Sequence, residues 1–320
     1  MSILEDIAIQ FGATRGEIAK LVASAPRRYK TYQILKRNGD TRTIAQPAAE
    51  LKIVQRFLME ERLTLFPVHN IAMAYVKDRG IFQNAKLHAS SDFILKLDFS
   101  SFFPSIVPRD LERVNRRQKP SPLEKSDLEI YYNLLFWGEG SYEPKRLSIG
   151  APSSPMMSNI IMHALDCEAA ALADRFGLVV SRYADDITVS GSDKTSIIKF
   201  ETSFRRAISL STSPKLQFNE EKRGLYSRGQ RRMVTGLIIT PQGKISIGRE
   251  RKRTISTLVH RFILGSLSNA EVMHTKGLLG FALSIEPEFI LSLRDKYNHE
   301  VINTIMSADH KRIIDWLDEE

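Results

Sequence analysis

Apolar positions along this chain switch between two periods, and the alternation outlines a protein of mixed helices and antiparallel strands. Ile3, Leu4, Ile7, Ile9 and Phe11, then Ile18, Leu21 and Val22, recur at helical spacing over residues 1–25, with a break near Gly12. Tyr29 to Ala45 reads as two short strands around the turn Asn38-Gly39-Asp40, Pro47 stops that sheet, and Glu50 to Leu65 is helical again. Phe93-Ile94-Leu95-Lys96-Leu97-Asp98 has the pattern of a buried strand that ends in a carboxylate. Leu111 to Trp137 reads as mainly helical, and Gly150-Ala151-Pro152-Ser153-Ser154-Pro155 leads into an apolar helix from Met156 to about Phe176. Leu178 to Ser190 has the outline of a hairpin pivoting on Asp185 and Asp186. Ser196 to Leu210 is predicted helical, Val234 to Ile247 strand-rich around Gly243, and the remainder from Arg249 mostly helical. No internal repeat, βαβ alternation or Gly-rich nucleotide fingerprint is found, so the class is α+β.

The 320 residues, 42% of them hydrophobic, suffice for a sizeable core and two or three subdomains. Apolar stretches such as Phe176–Val180 fall far short of the ~20 residues of a membrane helix. The start, Met1-Ser2-Ile3-Leu4-Glu5-Asp6, is acidic where a signal peptide is basic. A single cysteine, Cys167, excludes a disulfide framework or a cysteine-based zinc site and reads as a core residue. A cytoplasmic location follows as the expectation.

Charge narrows the partners. Lys and Arg number 46 against 37 Asp and Glu, a net charge of +9, which suits a polyanion. Nucleic acid comes first; an anionic membrane comes second and lacks a strongly amphipathic basic helix. The basic residues cluster at Arg27 to Lys30, Arg113 to Lys119, Lys222 to Arg232 and Arg249 to Arg253. Each cluster alone is equally a solvated face.

Tyr183-Ala184-Asp185-Asp186 places two carboxylates side by side at a predicted turn. Taken alone, the pair is either an ordinary solvated turn or a divalent-cation site, since a cation would relieve the repulsion. Asp98, at the end of its strand, completes a set of three. Two-metal phosphoryl transfer needs such a set.

Leu97-Asp98-Phe99-Ser100-Ser101-Phe102-Phe103, then Gly150 to Pro155, then Tyr183-Ala184-Asp185-Asp186 resemble the ordered palm motifs of reverse transcriptases. Gln83-Asn84-Ala85-Lys86-Leu87-His88 resembles the Asn-Ala-x-x-His signature of bacterial retron reverse transcriptases, and Val234-Thr235-Gly236 their Val-Thr-Gly motif. The resemblance spans about Arg42 to Gly248 and matches the thumb only loosely. It implies a right-hand polymerase with fingers and palm over 1–240, the palm motifs within 93–240, and an RNA-binding thumb over 241–320. The length leaves no room for a ribonuclease H, integrase or endonuclease domain of ordinary size.

By that resemblance, Asp98, Asp185 and Asp186 are the catalytic residues and hold two Mg2+ ions, with the Phe99 carbonyl a further ligand. Phe103 is the aromatic gate that selects deoxynucleotides, with core packing beside Phe102 the alternative. Gly150 and Ala151 line the incoming nucleotide, Arg42 holds its triphosphate, and Lys222 protonates or binds pyrophosphate; either base is otherwise a solvated one. Ile149 departs from the family, which places glutamine before that glycine. Asn84 and His88 bind RNA or brace the palm. Val234, Thr235 and Gly236 touch template–primer or join palm to thumb. Arg249, Arg251, Lys252 and Arg253 grasp an RNA stem-loop.

The implied activity is that of a retron RNA-directed DNA polymerase. It would copy a cognate structured non-coding RNA into single-stranded DNA, using dNTPs, primed from the 2′-hydroxyl of a guanosine in that RNA. The setting would be anti-phage defence, with an effector on a separate chain. Rivals are a diversity-generating or abortive-infection reverse transcriptase, a non-catalytic RNA-binding scaffold with a palm, and a magnesium-dependent nuclease. The nuclease would need neither Phe103 nor the Gly150 loop.

Overall fold

The computed structural model describes residues 2–35, 39–138 and 145–308, so Asn38 of the predicted hairpin turn lies outside the described residues. The chain forms two compact units, Met1–Gly80 with Phe93–Leu225, and Ile81–Asp92 with Tyr226–Glu320. This division falls earlier than residue 240 and gives the Asn84–His88 segment to the second unit.

The first unit opens with helices α1 (Ile3–Phe11) and α2 (Arg15–Ser24). Ser2 with Glu5 and Thr14 with Glu17 form reciprocal caps at their starts, and Gly12 ends α1 in the left-handed region at φ 61°. Strands β1 (Tyr29–Leu35) and β2 (Thr41–Pro47) pair antiparallel, and Pro47 is the last paired residue, opposite Tyr29. Helix α3 (Ala49–Glu61) follows, buried through Leu51, Val54 and Leu58. After β3 (Phe93–Asp98), the stretch predicted as one helical region divides into α5 (Pro108–Arg117) and α6 (Leu128–Leu135), with Pro120 and Pro122 between them; α4 (Ile81–Leu87) belongs to the second unit.

Helix α7 (Ser154–Phe176) starts two residues before the predicted Met156 and buries Met157, Ile160, Ile161 and Leu165. Strands β4 (Val179–Tyr183) and β5 (Asp186–Gly191) form the predicted hairpin, and α8 (Lys194–Leu210) follows, its start capped by Asp193. The sheet order is β4-β5-β3-β6, where β6 is Gly224–Ser227 and its first two residues belong to this unit. The core beneath the sheet joins Leu95 and Leu97 of β3, Ile187 and Val189 of β5, and Phe200 and Phe204 of α8.

In the second unit α4 packs on the three-stranded sheet β7 (Arg232–Val234), β8 (Leu237–Ile239) and β9 (Ile245–Ser246). Thr235 at φ 47° and Gly236 at φ 79° make the two-residue turn between β7 and β8, which needs two positive φ angles. Helices α9 (Arg249–Ile263), α10 (Asn269–Ile285), α11 (Pro287–Tyr297) and α12 (His299–Ser307) complete it. Among the described residues no helix is long and apolar enough to cross a membrane.

Candidate active site

The three aspartates converge in the first unit because of strand register. Asp98 closes β3 directly opposite Asp186, which opens β5, and Asp186 is also opposite Tyr183 of β4. Asp185 occupies the two-residue turn after Ala184, whose φ is 57°. The Phe99 N–H donates to the Asp185 carbonyl at 3.2 Å, and the Asn219 N–H donates to the Asp98 carbonyl at 2.7 Å. Three separate segments thereby share one backbone network.

Their electrostatics describe a site short of positive charge. Like charges directly opposite across a ladder are unfavourable. Burial first, and the neighbouring Asp98 carboxylate second, push the Asp186 carboxyl well above the usual range. Burial and Asp98 also raise Asp185, against the opposing charges of Lys222 and Arg42. Lys222 Nζ donates to Asp98 Oδ2 at 2.8 Å, while the buried Asp98 Oδ1 has no hydrogen-bond partner among the described residues.

A divalent cation fits this arrangement. It would satisfy the orphaned Oδ1 and relieve the repulsion among hard oxygen donors. As they stand, the described residues include no preformed group of three His, Cys, Asp or Glu ready to grip a metal. Lys222 holds one of the Asp98 oxygens instead.

The other predicted positions divide clearly. Phe102 is a core residue, 3% exposed, and Phe103 is half-buried, packed against the same core with its ring edge-on to Phe102 at 5.4 Å. The Phe99 ring stacks on Phe218 at 5.0 Å. Gly150 has φ 130°, and a Cβ there would lie 2.9 Å from the Ala45 carbonyl oxygen, so its small size serves the hairpin above it. The Ala45 N–H donates to the Ile149 carbonyl at 2.9 Å, tying the same two segments together. Ala151 is buried. Ile149 lines a cavity of about 430 Å³ with Tyr32, Trp137 and Arg146.

Lys222 is more than a solvated base. Glu220 accepts two bonds from Arg205, and Arg223 donates two to Glu201, so both flanks of Lys222 are clamped to α8.

In the second unit Asn84 and His88 are 1% and 0% exposed, and burial lowers the His88 imidazole to about 3. Of the two roles weighed for them, bracing is the one their burial allows; direct RNA contact needs a surface they do not have. Val234 is likewise fully buried, and the Thr235 hydroxyl donates to the Ile81 carbonyl. The Gly236 carbonyl accepts from Arg251 at 2.7 Å, and Lys252 pairs with Glu286 at 2.5 Å, so those two bases support the unit's own fold. Arg249 and Arg253 are exposed at one helical repeat of four. Within the basic run Lys222 to Arg232, Arg232 is buried and donates to the Ser91 and Thr240 carbonyls. Cys167, expected in the core, is exposed, with its Sγ 3.7 Å from His163 Nδ1.

Two features escaped the sequence reading. Arg182 and Asp166 form a buried ion pair beneath the turn, and Tyr75, at φ 62° and half exposed, has its phenol raised by burial first and by the charge of Asp185 second. Arg182 directly precedes Tyr183-Ala184-Asp185-Asp186, a position whose charge inside an apolar strand was the available signal.

A sheet that sets aspartates on facing strand ends, with a third in the adjoining turn, belongs to the right-hand polymerases. Residues 34–255 match the reverse transcriptase (RNA-dependent DNA polymerase) family, and this chain belongs to it. It is 37% identical to the retron Ec83 reverse transcriptase of Escherichia coli, over 87% of this chain and 89% of that one. It is also 31% identical to the retron Ec86 reverse transcriptase of the same organism, over 88% and 87% of the two chains. Among solved structures, telomerase from Candida albicans in complex with a fragment of telomeric RNA superposes with a TM-score of 0.52 at 12% identity. That match covers 94% of this chain and 58% of the telomerase chain, and it bears on the fold alone. The protein is an RNA-directed DNA polymerase, of a family that uses divalent metal ions.

Proposed function

We propose that this polymerase is a retron enzyme, copying part of a cognate structured non-coding RNA into single-stranded DNA from a 2′-hydroxyl of a guanosine in that RNA. The observation that carries the catalytic assignment is the facing of Asp98 and Asp186 across β3 and β5, with Asp185 in the adjoining turn. The retron assignment is supported by relatives of that kind over most of the chain.

Asp98, Asp185 and Asp186 would hold two Mg2+ ions, with the Phe99 carbonyl beside them. Bound there, the ions would activate the attacking hydroxyl and neutralise the leaving pyrophosphate. The chain's own residues do the rest. Phe103 fills the space of a ribose 2′-hydroxyl. Arg42 faces the charge of Asp185 from β2 and takes the triphosphate. Lys222, its pKa raised by Asp98 despite partial burial, is protonated at neutral pH and supplies a proton at Nζ to the departing pyrophosphate. Gly150 and Ala151 border the nucleotide, and Arg249 and Arg253 present exposed cations to the RNA stem. A defence role, with a separate effector protein, belongs to the same reading.

The test is nucleic acid from cells carrying the gene with its native upstream flank, compared with Asp185→Asn/Asp186→Asn. A short discrete DNA, absent from the variant and shifted by a debranching enzyme, is the expected result. Primer extension on RNA without such a DNA would keep the polymerase and remove the retron.

A further inference from the structure

One basic cluster has no part in the polymerase site. Arg109, Arg113, Arg116 and Arg117 fall at positions i, i+4, i+7 and i+8 of α5, which is one helical face. Arg109, Arg116, Arg117 and the following Lys119 are exposed, and no described carboxylate forms an ion pair with any of them. Among the described residues the helix's own acids form no ion pair with this face: Asp110 is buried, accepts from the Val107 N–H and feels Arg113 and Arg109 through their charge, and Glu112 acts on Tyr132.

The same face continues into a cavity. Arg113 donates to the Thr212 hydroxyl at 2.5 Å, and Ser213 donates to Asp110, which fixes the segment after α8 against α5. Ser100, Ser105, Ser209, Ser211 and Lys215 line a cavity of about 460 Å³ beside that segment. The four serines donate their hydroxyl protons to the carbonyls of Gln217, Ser101, Arg206 and Ser213. Their oxygens therefore offer lone pairs, which suit a donor, and a ribose 2′-hydroxyl is one. Lys215 and the arginines offer the complementary charge for phosphate.

We infer that α5 and this cavity form a second RNA-binding surface, with phosphates on Arg109, Arg116, Arg117 and Lys215 and 2′-hydroxyls on the serines. The nine residues from Arg109 to Arg117 span ~12 Å of helix, enough for about three or four nucleotide rises. This rests on the reading above that the enzyme handles an RNA longer than its catalytic cleft.

The experiment measures binding of a labelled blunt RNA duplex, and of the same sequence as DNA, over a range of salt concentrations. Unlabelled short primer–template at saturation keeps the catalytic cleft filled. Arg109→Gln/Arg116→Gln/Arg117→Gln/Lys215→Gln should weaken RNA binding about tenfold or more and flatten the salt slope by about 3.6, near 0.9 for each of the four lost phosphate contacts. Ser105→Ala/Ser209→Ala should narrow the preference for RNA over DNA. Extension of a short primer should be unchanged in both, and Arg→Lys replacements at the three arginines should retain the slope.

An unchanged slope in a variant of wild-type melting temperature overturns the surface. So does extension that falls in step with binding, or attachment to phosphatidylserine vesicles but not to RNA. Absence of any RNA-templated extension by the wild type would instead remove the polymerase reading, and is read separately.

Discussion

Arg182 and Asp166 form a two-pronged ion pair, Nε to Oδ1 and the second terminal nitrogen to Oδ2 both at 2.6 Å, with side chains only 1% and 2% exposed. The third guanidinium nitrogen donates to the Ala184 carbonyl at 3.0 Å, so α7 holds the turn that carries Asp185. Asp166→Asn should destabilise the protein by about 3–5 kcal/mol, the usual cost of leaving one buried charge unpaired. Arg182→Met/Asp166→Leu should regain most of that stability and still lose primer extension, because the Ala184 contact is gone. Thermal melting and single-turnover extension, run on the same samples, separate the two effects.

Asp186→Asn removes a buried carboxylate facing another one. In chelator-treated buffer the variant should therefore melt at or above the wild-type temperature while extension is abolished. Added Mg2+ should raise the wild-type melting temperature in proportion to RT ln(1 + [L]/Kd) and move the variant much less. Equal magnesium shifts in the two proteins would remove Asp186 from the metal site.

Phe103→Ala opens the space beside the buried Phe102 without unpacking it. The ratio of kcat/KM for deoxynucleotides over ribonucleotides should fall by about 10–200-fold, the range that one steric contact supplies. Phe102→Ala should instead cost about 3–5 kcal/mol of stability, as a buried aromatic does.

Gly150→Ala sets a Cβ against the Ala45 carbonyl at a φ of 130°. A loss of about 1–3 kcal/mol is expected, from strained backbone and overpacking together. Denaturant titration measures it, and extension at low nucleotide concentration shows whether the fingers hairpin has shifted.

His88 titrates near 3 when folded, against 6.5 for an ordinary histidine, because it is buried. The unfolded chain therefore binds the extra proton first, and stability is lost as the pH falls from about 6.5 toward 3. Between pH 7 and pH 5 the wild type should lose about 2 kcal/mol more than His88→Gln, at 1.36 kcal/mol for each unit below 6.5. Chemical denaturation at the two pH values gives the difference directly.

Most of the first unit was legible because its signals are local. Phe93–Asp98 has one run of apolar residues and one strand, and Asp185 and Asp186 sit at the turn their flanking strand formers imply. What escaped depends on partners far apart in sequence. The clamp on Lys222 needs Glu201 and Arg205 from α8, and the role of Arg182 needs Asp166 from α7, neither of which has a periodicity of its own. RNA contact was one of the readings that the family resemblance gave for Asn84 and His88, and the reading it gave for Lys252, all of them polar residues. Polarity does not distinguish an exposed group from a buried one.

The one-to-one pairing of Asp98 with Asp186 also sets where the gene tolerates length changes. Side chains alternate faces along a strand, so one residue inserted or deleted within β3 or β5 would send a carboxylate to the opposite face while leaving the strands able to pair. Tags, linkers and fused domains therefore belong outside Phe93–Asp98 and Asp186–Gly191. Within those twelve positions the reading frame of the sheet is the reading frame of the active site.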